Sequence, residues 1–371
     1  MTLTVGSSGT IMPPVDGLIR NAQRLEEKGY DAIWWPDHLM GWFPQAIWTP
    51  DVTPLAAFQQ NPDVYLDPVA CISAVGVHTQ RVRLGTSVTE PIRRHPAMLA
   101  NEWLSLSHLS KGRAILGIGC GEAENIVPYG LDYSNAVSKF EEALAIIRLL
   151  WENDEPVDFD GTYWPLRDAV VGLGAYDGRF PPIWVGAHGP RMLDITGRFA
   201  DGWLPTHTAE PADYAERLGR IRDAAKNAGR DPDAIEAGLW DYTIVAADHE
   251  EAHRIAAQPL PKVNLLVLPS SAYERLGHRH PLGDGFYGIR DFIPARYTKD
   301  EVLKALDAIP EDVVHAYTVH GTPDELTARL RQYESAGLQH AVLWNQTFLG
   351  DPTKVSESFH LLDDVLAAVT G

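Results

Sequence analysis

Short β-rich runs alternate with amphipathic helical stretches along the whole chain. Of all the features of the sequence, this alternation most restricts the fold classes that the chain can adopt. We count about eight strand–helix units. The predicted strands are Thr2–Ser7, Ala32–Trp35, Val82–Val88, Arg113–Ile118, Pro182–Val185, Gly202–Leu204, Ala237–Ala246 and Ala341–Trp344. Eight such units are the number in a (β/α)8 TIM barrel, whereas a doubly wound sheet would normally need fewer units or a second domain.

The length of the chain predicts that the barrel carries insertions. It has 371 residues, over a hundred more than a minimal barrel of about 250. We expect one domain, residues 1–371, with insertions at the C-terminal face of the barrel. The loop Leu39–Leu66 contains several aromatic residues, and a segment around 248–340 is too long for one strand-to-helix link. A patch at Val157–Trp164, with Asp160-Gly161 at its centre, is typical of a two-residue hairpin turn.

Composition and charge exclude several classes of protein. The chain has 31 basic and 50 acidic residues, a net charge of −19, which disfavours binding to nucleic acid. No apolar run approaches the roughly 18–20 residues that a membrane helix needs, so we expect no membrane span. Two cysteines cannot form a disulfide framework and suit a reducing cytoplasm. Eleven tryptophans exceed the usual needs of a core, which indicates that some line a pocket.

The strongest catalytic candidate is His38, which follows a predicted strand. Catalytic groups of TIM barrels lie at the C-terminal ends of the strands, where the loops converge. A histidine side chain is well matched to exchange a proton near neutral pH. Asp37 precedes it, and Trp42 follows at a spacing that could wall the same pocket. The alternative is a histidine with a purely structural hydrogen bond.

Glu122 is the second candidate, at the end of the fourth predicted strand. Glycines flanking Cys120 let the backbone approach a ligand closely, and Glu122 then emerges where a helix begins. Its carboxylate could donate a proton or cap that helix. The alternating glycines do not have the G-x-G-x-x-G spacing of a dinucleotide-binding loop.

The segment Gly186–Arg191 is predicted to bind an anion. Small residues lead to Pro190 at a first helical position, which leaves free N–H groups at the helix N-terminus. Arg191 could add a fixed positive charge, and the alternative is an ordinary turn. No metal site is predicted, because His278-x-His280 lacks neighbouring ligands in a metal-binding pattern. Thr322 with Glu325 is typical of a capping box.

These motifs resemble the luciferase-like flavin/deazaflavin oxidoreductases, and more closely their branch that uses the deazaflavin coenzyme F420. The resemblance covers nearly the whole chain. It rests on Asp37-His38 with Trp42, Leu84–Val88, Gly112–Gly119, Gly121-Glu122 with Asn125, Ala187–Pro190 and Gly321–Glu325. Two further segments, Phe140–Leu144 and Pro281–Pro294, resemble mycobacterial phthiodiolone ketoreductases in particular.

The resemblance implies a homodimeric TIM barrel with the deazaflavin ring across the strand ends. It gives His38 the proton exchange with substrate, Glu122 the cofactor's N1, and Trp42 a place over the reacting centre. It also implies a non-proline cis peptide between Ser87 and Val88 that supports the ring. The remaining residues that it implies at the cofactor are Asp37, Asn125, Gly186, Ala187, His188, Gly189, Pro190 and Arg191.

We therefore predict hydride transfer between C5 of coenzyme F420 and the carbon of an alcohol or ketone, a small-molecule substrate. Glu90 and the lack of clustered lysines depart from the related F420-dependent sugar-phosphate dehydrogenases, which disfavours a sugar phosphate as substrate. The aromatic residues of the insertions suit an apolar, lipid-like ketone. The residues also leave open an FMN-dependent monooxygenase on the same barrel and a non-enzymatic protein that binds or stores the cofactor.

Overall fold

Eight parallel strands close into a barrel in the computed structural model, which describes residues 3–371. The barrel strands are β1 (Thr4–Ser8), β2 (Ala32–Trp35), β3 (Arg83–Thr86), β4 (Ala114–Ile118), β7 (Ile183–Val185), β8 (Gly202–Trp203), β9 (Glu236–Val245) and β11 (His340–Asn345). The order around the barrel is β9-β11-β1-β2-β3-β4-β7-β8, and β8 pairs back to β9. The predicted TIM barrel is confirmed, and strand ends within the described residues agree to within two residues. Thr2, the predicted start of the first strand, lies outside the described residues.

A helix follows each barrel strand and packs on the outside. These helices are α1 (Val15–Glu27), α2 (Pro68–Gly76), α3 (Pro96–Ser110), α5 (Ala136–Glu152), α6 (Pro190–Phe199), α7 (Pro211–Asn227), α13 (Pro323–Ser335) and α15 (Val355–Thr370). A short helix, α4 (Ala123–Ile126), precedes α5, and α14 (Thr347–Gly350) precedes α15. None of the helices in residues 3–371 has the length and apolar character needed to cross a membrane.

The long insertion forms a helical layer with its own apolar core. It contains α8 (His249–Ala256), α9 (Pro259–Leu266), α10 (Ser270–Glu274), α11 (Lys299–Asp307), α12 (Glu311–Tyr317) and the strand β10 (Val319–Gly321), which pairs with β9. Phe43, Ile47 and Trp48 from the first insertion are buried in the same core, so the two insertions pack together. The predicted range 248–340 also takes in α13, a barrel helix that begins with the predicted Thr322–Glu325 capping box.

The predicted two-residue hairpin turn is wrong, although a hairpin is present. Its strands are β5 (Val157–Phe159) and β6 (Leu166–Ala169), so six residues connect them. The Glu142 carboxylate explains the longer connection, because it accepts hydrogen bonds from the backbone N–H groups of Thr162, Tyr163 and Trp164.

Tryptophan side chains and glycines fill the barrel interior together. Trp34 and Trp184 are fully buried there, with their ring centroids 5.3 Å apart. Both need space on neighbouring strands. A Cβ on Gly85 would lie 2.5 Å from the Trp34 ring, and one on Gly202 would lie 2.3 Å from the Trp184 ring. Part of the tryptophan surplus therefore belongs to the barrel interior and not to a pocket.

Gly117→Ala is expected to lower the apparent Tm by about 1–4 °C, since overpacking a core costs roughly 1–3 kcal/mol and each kcal/mol shifts the Tm of a chain of this length by about 1.3 °C. A Cβ at Gly117 would lie 1.7 Å from the carbonyl oxygen of Thr86, which is backbone and cannot rotate away. The matched control is Gly219→Ala on α7, where a Cβ meets nothing within 4 Å. Equal melting temperatures for the two variants, measured by circular dichroism, would contradict the packing argument.

Candidate active site

Asp37 holds the end of β2 in place at the C-terminal face of the barrel. It is 4% exposed, and its Oδ2 accepts hydrogen bonds from the Thr89 hydroxyl at 2.6 Å and from Arg94 Nε at 3.1 Å. Burial raises the pKa of Asp37, but the charges of Arg93 and Arg94 outweigh burial and hold it below the usual value. These contacts of Asp37 therefore fix the position of the next residue, His38.

His38 meets two carboxyl groups from the segment that follows β4. Its Nε2 lies 3.1 Å from Oε2 of Glu122, and one oxygen of Glu124 completes a group within 4.8 Å. Glu122 occupies the cap position of α4, but its side chain makes no capping hydrogen bond. The capping alternative for Glu122 is thus not what the structure shows. Its carboxylate faces the histidine instead.

Glu122 and Glu124 hold their protons differently. Burial raises the pKa of Glu122, but the His38 charge and hydrogen bond outweigh burial and lower it below the usual value. Burial raises the pKa of Glu124 well above its usual value, and the adjacent Glu122 charge raises it further. When the pair holds a single proton, that proton therefore resides on Glu124, and Glu122 carries the charge.

Trp42 and Asn125 fasten the first insertion to α4. Trp42 Nε1 donates a hydrogen bond to Oε1 of Glu124 at 2.9 Å, and its ring meets the His38 ring edge-on at 5.7 Å. Asn125 Oδ1 accepts hydrogen bonds from the backbone N–H groups of Leu39 and Met40, at 2.7 and 3.0 Å. Asn125 therefore fixes the loop that carries His38 and Trp42.

A bulge follows β3 at the predicted position. β3 pairs with β4 through Gly85 and Ile115, and the pairing resumes between Thr89 and Ile118, so β3 has one extra residue. The peptide bond between Ser87 and Val88 is cis, which confirms the expectation from the resemblance. The Val88 side chain lies against two glycines: a Cβ on Gly119 would approach it to 2.9 Å, and one on Gly186 to 3.5 Å.

A cavity of about 670 Å³ opens at this face of the barrel. That volume lies within the range of small-molecule sites, roughly 300–1,000 Å³. Its lining includes Trp42 and Trp48 from the first insertion, together with Tyr287 from the second. Among the described residues that line it, three have buried polar atoms without a hydrogen-bond partner: His38 Nδ1, Ser87 Oγ and both ring nitrogens of His207.

The predicted anion-binding segment divides into residues at the cavity and residues away from it. Gly186, His188 and Gly189 line the cavity, and Pro190 begins α6 with Gly189 as the cap residue. Ala187 is buried, and its carbonyl accepts a hydrogen bond from Trp203 Nε1. Arg191 lies 2.8 Å from Glu141 and its side chain is 56% exposed, so its charge is neutralised outside the cavity.

Two other arginines bring positive charge to the cavity. Arg217 on α7 and Arg290 in the second insertion line it, and neither has a carboxylate partner within 4 Å in residues 3–371. Burial lowers the pKa of His188 to about 4, and the nearby Arg217 charge contributes. Arg217 thus lies beside the glycine-rich turn that begins α6.

Sequence reasoning missed Arg217, Arg290 and Glu124, and it gave no role to His207, which follows a predicted strand. His207 has a positive φ of 49°, and its ring stacks on Tyr242 at 4.6 Å. Burial lowers the pKa of His207 to about 3, so the ring is neutral. The position of His207 at the end of β8 is the one signal that the sequence offers, since the two arginines lie in ordinary polar surroundings along the chain.

The closed barrel and its histidine–carboxylate pair at a ligand-sized cavity define an enzyme site of the TIM-barrel type. The chain belongs to the luciferase-like monooxygenase family, whose family model matches residues 2–340. This confirms the family that the motifs indicated.

Curated relatives and solved structures resemble the chain over most of its length. The phthiodiolone/phenolphthiodiolone dimycocerosates ketoreductase of Mycobacterium tuberculosis is 38% identical over 321 residues, 85% of this chain and 84% of that protein. An F420-dependent glucose-6-phosphate dehydrogenase of Microbacterium testaceum is 29% identical over 326 residues, 85% of this chain and 83% of that protein. An F420-dependent secondary alcohol dehydrogenase, solved with an F420-acetone adduct, superposes with a TM-score of 0.77 at 21% identity, covering all of both chains. That likeness supports the fold.

Proposed function

We propose that this protein is a coenzyme F420-dependent oxidoreductase that interconverts an alcohol and a ketone by hydride transfer at C5 of the deazaflavin. The two curated relatives act as a ketoreductase and as an F420-dependent dehydrogenase, which supports the reaction class. The observation that carries the proposal is His38, held by an ionised Glu122 on one nitrogen and unpartnered on the other, at the wall of an apolar cavity.

The residues present suit a planar ring with an anionic tail. Gly119 and Gly186 leave the Val88 side chain room, and the unpartnered hydroxyl of Ser87 is available to a polar edge of a ring. The glycine-rich start of α6 and Arg217 would hold phosphate, since helix N-termini and arginine both favour anions. When bound, the coenzyme supplies the hydride chemistry.

His38 and Glu122 would move and position the proton of this reaction. The Glu122 carboxylate only accepts hydrogen bonds, so it keeps a proton on His38 Nε2 and leaves Nδ1 free to exchange one with the substrate oxygen. Trp42 packs on the His38 ring and limits its rotation. Glu122 remains a candidate for the predicted contact with N1 of the coenzyme.

An apolar alcohol or ketone fits the cavity better than a sugar phosphate. The surface of the cavity is mostly apolar, with aromatic and aliphatic side chains from both the barrel and the two insertions. No lysine is among the described residues that line it. Glu90 is 3% exposed, and Arg93 Nε donates a hydrogen bond to it at 2.7 Å. Because Arg93 is paired with Glu90, its positive charge is not available to a substrate phosphate.

The decisive experiment follows the absorbance of the coenzyme during turnover. Purified protein with reduced F420 should oxidise the coenzyme when a long-chain ketone is added, and oxidised F420 should be reduced by the matching alcohol. Glucose 6-phosphate is the comparison substrate. An oxygen electrode run with reduced FMN tests the monooxygenase alternative. Oxygen uptake with FMN, or tight F420 binding without turnover of any alcohol or ketone, would overturn the proposal.

Arg217→Ala is expected to weaken F420 binding at least about tenfold, because a charge-assisted hydrogen bond is worth roughly 1.5–3 kcal/mol. The matched control is Arg191→Ala, whose arginine is paired with Glu141 outside the cavity and should leave the Kd within about twofold. Fluorescence titration of each variant with F420 gives the comparison. A larger loss of F420 affinity in Arg191→Ala than in Arg217→Ala would show that Arg191, the arginine predicted from the sequence, contacts the anion.

A cytoplasmic homodimer completes the proposed function. The family resemblance supports the dimer. The two free cysteines, Cys71 and Cys120, support a reducing compartment. Sedimentation equilibrium of the purified chain tests the dimer, and a mass near 41 kDa at micromolar concentration would exclude it.

A further inference from the structure

Three histidines from three separate segments of the second insertion meet at one place, away from the cavity. They are His253 on α8, His315 on α12 and His320 at the centre of β10, and we call them the histidine patch. One nitrogen from each lies within 4.8 Å of the others. None of the three lines the candidate active site, so the proposed oxidoreductase activity gives them no role.

The outer nitrogens of two of these rings face oxygen acceptors. His320 Nδ1 lies 2.9 Å from the carbonyl oxygen of Thr318, and a carbonyl only accepts, so this nitrogen carries a proton. His253 Nε2 faces Oε1 of Glu311 at 3.4 Å. Metal-binding histidines characteristically donate their second ring N–H to a carbonyl or a carboxylate, which fixes the tautomer.

The inner nitrogens then face each other. His253 Nδ1 and His320 Nε2 are 3.2 Å apart. With the protons on the outer nitrogens, both inner nitrogens present lone pairs, and a cation between them would be favoured. Two ligands at the usual Zn–N distance of about 2.0–2.1 Å in tetrahedral geometry are about 3.3–3.4 Å apart. The observed separation suits that arrangement.

From this geometry we propose that the histidine patch binds a divalent transition-metal ion, with His253 and His320 as its ligands, while the His315 ring stacks on the His253 ring at a centroid distance of 4.4 Å and packs beside the site. Neutral imidazoles suit Zn²⁺ and its neighbours in the transition series. The ion would join α8 and β10, two segments of the insertion that packs with the first insertion over the barrel. Its effect is to stabilise that layer, independently of the oxidoreductase reaction.

The competing explanation is an ordinary hydrogen bond between the two rings, with an added proton in place of the metal. His253→Gln separates the two explanations, because a glutamine amide can still donate to His320 Nε2 but replaces the imidazole ligand. A metal site loses its affinity in this variant. A plain hydrogen bond leaves the Zn²⁺ affinity of this variant equal to that of the wild type.

The test is isothermal titration of the metal-free full-length chain with ZnCl₂, together with Tm in the presence of Zn²⁺. We expect one site per chain, a Zn²⁺-dependent rise in Tm, and a roughly hundredfold or greater loss of affinity in His320→Ala and His253→Gln. His360→Ala is the matched control, an exposed histidine on α15 outside the patch, and it should bind Zn²⁺ as the wild type does. Circular dichroism without metal checks that each variant folds.

Three results would overturn the proposal. The first is a wild-type chain that shows no saturable Zn²⁺ binding in the micromolar range. The second is binding that persists unchanged in both patch variants. The third is binding that His38→Ala abolishes, which would assign the ion to the second group with suitable spacing, His38 with Glu122 and Glu124.

Discussion

His38→Ala is expected to lower turnover about 10²–10⁴-fold, the range in which general acid–base catalysis contributes. The F420 Kd should change little, because the proposed anion contacts lie on α6 and α7. The structural reason for the loss of turnover lies in the two nitrogens of the His38 ring. Its Nε2 contacts the Glu122 carboxylate, and its buried Nδ1 has no hydrogen-bond partner within residues 3–371 and can exchange a proton with the substrate. Steady-state kinetics with the best ketone and fluorescence titration with F420 measure the two effects separately.

His38→Gln is the matched variant for this prediction. A glutamine amide can still donate to Glu122 but cannot exchange a proton, so the loss of turnover should be close to that of the alanine variant. Full activity in either variant would reject His38 as the proton-exchange group, and loss of F420 binding in both would give it a role in the coenzyme site instead.

The barrel is predictable because its strands are short, apolar and regularly spaced. Ala32–Trp35 and the rule that barrel chemistry lies at strand ends are enough to locate His38. The contents of the second insertion are not predictable in this way. Its short helices share a core with Phe43 and Trp48, two hundred residues earlier, and no local periodicity records such packing.

The charges of the site show where local reasoning stops. The sequence predicts Arg191 as the cation because it follows the glycine-rich turn, but its long side chain reaches Glu141 on α5 instead. Arg217 lies on the next helix and approaches His188 only through the fold. Adjacency in sequence therefore locates the turn correctly but not the charge that accompanies it.

The protonation of Glu124 is also beyond the sequence. Glu122 and Glu124 are two residues apart and chemically alike, and only the folded chain places His38 against one and Trp42 against the other. Burial near a like charge then keeps the proton on Glu124. Sequence spacing can indicate a carboxylate pair but cannot tell which member is charged.

Glu122→Gln is expected to lower turnover by a factor on the order of 10²–10⁴, as when the carboxylate that orients a catalytic histidine loses its charge. The glutamine amide can donate a hydrogen bond to His38, so it no longer requires the proton to stay on Nε2. Folding should persist, because the Glu122 side chain makes no capping hydrogen bond to α4. Single-turnover kinetics with preloaded coenzyme measure the loss of turnover. A variant that fails to fold would instead indicate that Glu122 caps α4.

The stability of the same variant should depend on pH in a defined way. The folded-state pKa of Glu122 is lowered, so its ionisation stabilises the fold above the unfolded pKa of about 4.3, and this contribution is lost as pH falls through the folded value. The pKa of Glu124 is raised, so its contribution is lost as pH rises through its folded value. Glu122→Gln removes the first effect and weakens the second, because burial still raises the pKa of Glu124 when the Glu122 charge is gone.

Glu124→Gln is the control that separates these two carboxyl groups. A glutamine there is neutral like the protonated acid, and its oxygen can still accept the hydrogen bond from Trp42. We expect less than about a tenfold loss of turnover, together with a Tm that falls less than that of the wild type as the pH is raised through the folded-state pKa of Glu124. If Glu124→Gln instead matched Glu122→Gln in turnover, the catalytic charge would belong to the pair and not to Glu122 alone.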